Sequence, residues 1–190
     1  MYRFFIVLSK VFAYLGGLML TGLIVMTCAS ILGRKANELM HTMQAKGILA
    51  APAQWLLDAG VGVIKGDYEL IEAGIAFAIF AFLPLCQMTG GHASVDIFTD
   101  RLPARFNLVL RAVIEVIFAA VLVVIAVQLA SGMFSKLHTG QTTFLLQFPL
   151  WWAYALSLTA AAVAAVVGVF MAGLRVAEAV QGRAMNGAEQ

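Results

Sequence analysis

The chain has 190 residues, of which 62% are hydrophobic and 12% charged, and its mean hydropathy is +0.93. A soluble domain carries about 25% charged residues, so an ordinary soluble domain, a disordered chain and a disulfide scaffold are all excluded. Twelve Lys and Arg against ten Asp and Glu, scattered along the chain, also exclude a nucleic-acid partner. What remains is an integral membrane protein.

A bilayer-spanning helix needs about 20 mostly apolar residues. Residues 11–33, 73–95, 116–135 and the core of 137–174 meet that requirement with no formal charge inside them. Strand alternation is absent, and lipid forces each span to satisfy its own backbone, so all are read as α-helices. Allowing for charged ends that snorkel to the headgroups, the helices are expected at 2–34, 68–90, 104–138 and 149–180. The fold class is thus an all-α four-transmembrane-helix bundle forming a single domain over 1–190. The first span is too long for a signal-peptide core and is read as retained, in spite of Met26-Thr27-Cys28. Cys28 and Cys86 lie in apolar runs and are read as packing residues.

The connection 35–67 repeats Ile48, Leu49, Pro52, Trp55, Leu56, Ala59 and Val63 at helical spacing. Broken by Pro52, Gly60 and Gly62, it reads either as an amphipathic helix in the membrane interface or as a helix packed on a neighbouring protein. Between the second and third helices, Gly90 and Gly91 end one helix and Pro103 opens the next. The apolar Val95, Ile97, Phe98 and Leu102 in between suggest a short linking helix. Before the fourth helix, Pro149, Trp151, Trp152 and Tyr154 mark a membrane–water interface. Residues 181–190 form a tail. Four spans put both termini on one side, and an N-in orientation gathers seven basic residues there against five on the far side. That supports cytoplasmic termini.

Chemistry is thinly signalled. His92 and His138 fall at opposite ends of the bundle and His41 in a loop, so no haem is ligated; no Cys/His spacing suits a metal, and no cofactor is expected. Glu115, about three turns into the third helix, is the deepest acid. Arg111, one turn earlier, is placed to pair with it; the alternatives are a contact to a partner subunit and a proton relay. Packing is better signalled than chemistry. Ala164, Gly168 and Ala172 repeat at four residues, as do Ala13 and Gly17, and Gly74 and Ala78.

Four stretches together resemble the small membrane subunit of tripartite ATP-independent periplasmic (TRAP) transporters, the DctQ-like family. They are Ala29-Ser30-Ile31-Leu32-Gly33-Arg34, the acidic pair Glu69 and Glu72, Gly91-His92-Ala93-Ser94-Val95-Asp96 with Arg101-Leu102-Pro103, and Thr142-Thr143 followed by Pro149-Leu150-Trp151-Trp152-Ala153-Tyr154. The resemblance implies a multi-pass protein of the bacterial inner membrane that is not an enzyme. It implies a large permease subunit and a periplasmic substrate-binding protein as partners, besides membrane lipids. It also implies sodium-coupled uptake of an organic acid, with this chain bracing the large subunit. By the same resemblance Arg34, Glu69 and Glu72 are periplasmic, His92 and Asp96 cytoplasmic and structural, and Trp151 and Trp152 periplasmic interface anchors. The long 35–67 connection departs from a minimal member. The competing function is a self-sufficient homo-oligomeric carrier, for which Glu115 is the candidate acid.

Overall fold

The computed structural model describes residues 2–45, 64, 66–91 and 104–181. The described residues form four α-helices: α1 (Tyr2–Ala45), α2 (Asp67–Thr89), α3 (Ala104–Thr139) and α4 (Leu150–Gln181). Among them the only extended pairing is an isolated bridge between Thr142 and Pro149 in the α3–α4 turn. All four helices are long and apolar enough to cross a membrane. The expected interfacial helix within 46–63, the linking helix around 92–103 and the 182–190 tail lie outside the described residues.

Helix α1 corrects the expected end at Arg34. It continues for a further eleven residues to Ala45. Nothing in Lys35 to Ala45 breaks a helix, since Ala, Glu, Leu, Met and Gln dominate it. An exposed Lys35–Glu38 pair, 2.8 Å apart, bridges one turn, and Thr42 Oγ1 donates back to the Glu38 carbonyl. His41 therefore lies on a helix and not in a loop. At 1.5 Å per residue α1 is about 66 Å long, roughly twice the hydrocarbon thickness, so it must project from the bilayer.

Helix α2 is shorter because both ends are specified. Gly66 precedes it at φ 80 and accepts the amide protons of Glu69 and Leu70. A side chain at Gly66 would also run into Leu146, so glycine is required there twice over. At the other end Gly90 adopts φ 63 and Gly91 N–H reaches the Cys86 carbonyl at 2.9 Å, a Schellman closure.

The helices stand in the order α1, α2, α4, α3, with α2 and α4 central and α1 and α3 flanking. The buried residues of α1 are Ser9, Gly16, Leu23 and Ser30, one every seven positions. Those of α2 include Asp67, Gly74, Ala81 and Met88 at the same interval. The two sets meet antiparallel. Ser30 bonds Asp67, Leu23 covers Gly74, and Gly16 abuts Ala81. A strict seven-residue repeat is the signature of left-handed helix crossing. This corrects the expected stripe on α1: Gly16 makes the close approach, whereas a Cβ at Gly17 would meet only Phe82, 3.9 Å away.

Helix α4 is the most enclosed. Ala160, Ala161, Ala164 and Val167 are fully buried, Ala172 and Gly168 nearly so. Small side chains at this density let α2 and α3 approach closely, which matters in lipid because no hydrophobic force draws helices together there. Larger groups fill the gaps: Phe77 with Phe12 and Phe80, Met88 and Met171 with Phe5 and Phe170, and Leu122 with Leu83 and Phe118. The Phe5 and Phe170 rings stack at 4.3 Å and tie the start of α1 to α4.

Candidate functional site: the polar assembly at the head of α2

The densest group of polar contacts gathers around the first turn of α2. Asp67 is buried there, and a lone buried carboxylate is costly. Three donors answer it. Ser30 Oγ donates to Asp67 Oδ2 at 2.6 Å, Arg34 Nη2 to the same oxygen at 2.5 Å, and Tyr68 N–H to Oδ1 at 2.9 Å. Ser30 and Arg34 lie one turn apart on α1, so that helix presents both to one acid. The Arg34 guanidinium also sits 5.3 Å from the Tyr68 ring centroid, in cation–π range. Asp67 is thus both the last member of the α1–α2 seam and the acid that ties it by an ion pair.

Glu69 performs a second join. Its two carboxylate oxygens accept the backbone N–H groups of Leu145 (2.7 Å) and Leu146 (2.9 Å). One side chain of α2 therefore closes the turn that links α3 to α4. Glu72, one turn further along α2, is exposed. The acidic pair noted in the sequence divides accordingly: Glu69 is built into the fold and Glu72 faces outward. Sequence reasoning missed Asp67 as the partner of Arg34. The signal available was a Ser-x-x-x-Arg pair ending one span and an acid opening the next.

The other expected site residues do not converge. Trp151 and Trp152 start α4 with ring centroids 4.9 Å apart, Trp152 exposed and Trp151 half-buried. Ala164, Gly168 and Ala172 line the buried face of α4. Arg111 and Glu115 sit near the opposite end of the bundle. Glu115 is turned inward between Ala112 and Ala119, with its Oε2 buried and without a hydrogen-bond partner among the described residues, while Arg111 is exposed. On α4, Arg175 pairs with the buried Glu178 at 2.9 Å. His92 and Asp96 lie outside the described residues. Cys28 is exposed rather than packed, Cys86 is half-buried, and the two are not bonded to each other.

A further oddity was invisible in the sequence. Gln87, in the last turn of α2, is 1% exposed, and neither polar atom of its amide has a hydrogen-bond partner among the described residues. It occupies the space that a side chain at Gly168 would take, since a Cβ there would lie 3.2 Å from Nε2 and 3.3 Å from Oε1. Gly168 thus serves a specific neighbour and not only close helix approach. Among the described residues no group of three His, Cys, Asp or Glu is placed to hold a metal.

The family model described as "Tripartite ATP-independent periplasmic transporters, DctQ component" matches residues 23–178, which is most of the chain. The chain belongs to the DctQ family. The matched region begins within α1 and ends within α4, so it takes in the Asp67 and Glu69 joins and all four helices. No match was found among curated proteins or among solved structures. This DctQ-family chain is therefore a multi-pass membrane component of a tripartite transporter, and its family is one of transporter parts and not of enzymes.

Proposed function

We propose that this DctQ-family chain is the static brace of its transporter. It holds a large permease subunit in place in the bacterial inner membrane, with both of its own termini cytoplasmic. The permease carries the sodium and substrate sites, and a periplasmic binding protein delivers an organic acid. In this reading Arg34, Asp67 and Glu69 are periplasmic and hold helix ends together, and His92 and Asp96 are cytoplasmic and structural.

The observation that carries the proposal is the disposition of polar and apolar groups. The carboxylates at the head of α2 are consumed in joining helices to one another. The outer faces of α1 and α3 present large apolar side chains, among them Leu18 at 75%, Val25 at 63% and Val127 at 62% exposure. A body that commits the Asp67 and Glu69 carboxylates internally and whose flanks are predominantly apolar is suited to pack against lipid and a membrane partner.

Reconstitution tests this. With an inward sodium gradient across the vesicle membrane, the chain alone is expected to drive no uptake, and the chain with its large permease and binding protein to drive sodium-dependent uptake. The half-buried Glu115, whose Oε2 has no hydrogen-bond partner among the described residues, is the feature that favours a self-sufficient carrier. Glu115→Gln should leave most of the uptake by the assembled complex intact. Uptake by the chain alone, abolished by Glu115→Gln, would establish the carrier instead.

A further inference from the structure

The α3–α4 turn combines two properties that do not normally go together. Its side chains are apolar and outward: Phe144 is 88% exposed, Leu145 57%, Leu146 40% and Phe148 40%. Yet its backbone is answered from within the protein. Thr143 N–H donates to the Phe148 carbonyl (2.8 Å), Phe148 N–H to Thr143 Oγ1 (3.0 Å), and Leu150 N–H to the Gln141 carbonyl (3.0 Å). Leu145 and Leu146 donate to the Glu69 carboxylate. Even Gln147, at φ 54, turns its amide back to donate to the Phe144 carbonyl at 3.1 Å and to take the Thr142 hydroxyl at 3.2 Å.

A turn in water has no need of this, because water satisfies a turn's backbone and disfavours a cluster of exposed phenylalanine and leucine. Where water is scarce the demands reverse. Non-helical backbone must find its partners inside the protein, and apolar side chains may then face outward. The turn also lies level with exposed aromatic groups that have polar tips: Tyr68, at 67% exposure, opens α2 beside Glu69, and Trp152, at 54%, opens α4. Such rings favour the headgroup boundary.

From this we propose that the α3–α4 turn is a lipid-binding anchor, dipping Phe144, Leu145 and Phe148 into the acyl chains of the nearer leaflet while Glu69 supplies the hydrogen bonds that water would otherwise give. The occupant is the bilayer and not a protein. A protein-binding turn offers backbone donors to its partner, whereas here the N–H groups of Thr143, Leu145, Leu146, Phe148 and Leu150 are already bonded within the chain. The proposal concerns this chain's own contact with lipid and stands whether or not the brace function above is right.

The full chain in phosphatidylethanolamine–phosphatidylglycerol vesicles provides the test, with Cys28→Ser and Cys86→Ser removing the native thiols. Nitroxide labels are attached through Phe144→Cys or Leu145→Cys, and their collisions with dissolved oxygen and with a water-soluble nickel chelate are compared. Val124→Cys on the outer face of α3 and Glu38→Cys on the exposed end of α1 are the lipid and water references. Both turn labels are expected to favour oxygen over nickel, as at 124, and to shift toward nickel when Glu69→Ala removes the carboxylate. Nickel-favoured collisions at both positions, as at 38, would overturn the proposal. So would loss of both kinds of collision, which marks burial by protein, or a depth that Glu69→Ala leaves unchanged. Circular dichroism and the two reference labels confirm that each variant retains its helices.

Discussion

Gln87 shows how much a single side chain can cost in this bundle. Its amide is buried beside Gly168 of α4, with both polar atoms unanswered among the described residues. An unsatisfied buried polar group costs about 1–3 kcal/mol, whereas an apolar group of similar shape costs little. Methionine matches glutamine closely in length and flexibility. Gln87→Met is therefore expected to stabilise the chain by about 1–2 kcal/mol, seen as a higher midpoint in denaturant titration in detergent. A lower midpoint would mean that the amide is bonded in the membrane-embedded protein. Asp67 is the opposite case, a buried acid with three donors. Ser30→Ala removes one neutral donor and leaves the others, and a loss of about 1 kcal/mol is expected in the same titration. Arg34 and Glu69 were legible in the sequence as polar residues at span ends. Their partners were not, because Asp67 and residues 145–146 are brought to them by helix pairing across long stretches of chain.

At the level of the helix, two readings of α1 differ in a measurable way. The sequence offers Ala13 and Gly17 at a spacing of four, and the structure uses Ser9, Gly16, Leu23 and Ser30 at a spacing of seven. A Cβ at Gly16 would stand 2.9 Å from the Ala81 Cβ and 3.4 Å from the Ala78 carbonyl. Gly16→Ala should therefore destabilise by about 1–3 kcal/mol through overpacking. Gly17→Ala should be neutral, or stabilise slightly through helix propensity, by at most about 1 kcal/mol. Equal effects at the two positions would rule out the heptad seam. Gly168→Leu is expected to be severe as well, since the side chain would displace both Gln87 and Leu122. Helix existence was easy to read because a run of about 20 apolar residues has few other fates in a membrane protein. The choice of face was hard, because in spans rich in Ala, Gly and Ser several spacings of small residues coexist and only the partner helix selects one.

For the whole molecule, the row α1, α2, α4, α3 leaves two flanks and a buried centre. A brace needs one flank against its permease and can leave the other to lipid. Labels at Leu18 on α1 and Val124 on α3, both exposed in the chain alone, should be accessible to lipid-dissolved oxygen before assembly. One of them should lose that access when the permease binds. If both remain accessible in the assembled complex, neither of these two faces is the docking surface, and the permease contacts the chain elsewhere.

Membrane residence, helix number and family were all readable in the linear chain, because burial of uncharged spans in lipid depends on composition and because the family's motifs recur in order along it. Tertiary structure decided the rest: that α1 runs on past Arg34, that Gly16 and not Gly17 lies in the seam, and that Glu69 closes a turn some 76 residues away. These outcomes depend on which helix stands beside which and in what register. Neighbouring helices in lipid are matched by shape and by a few hydrogen bonds, and such matching is a property of pairs that no single span encodes.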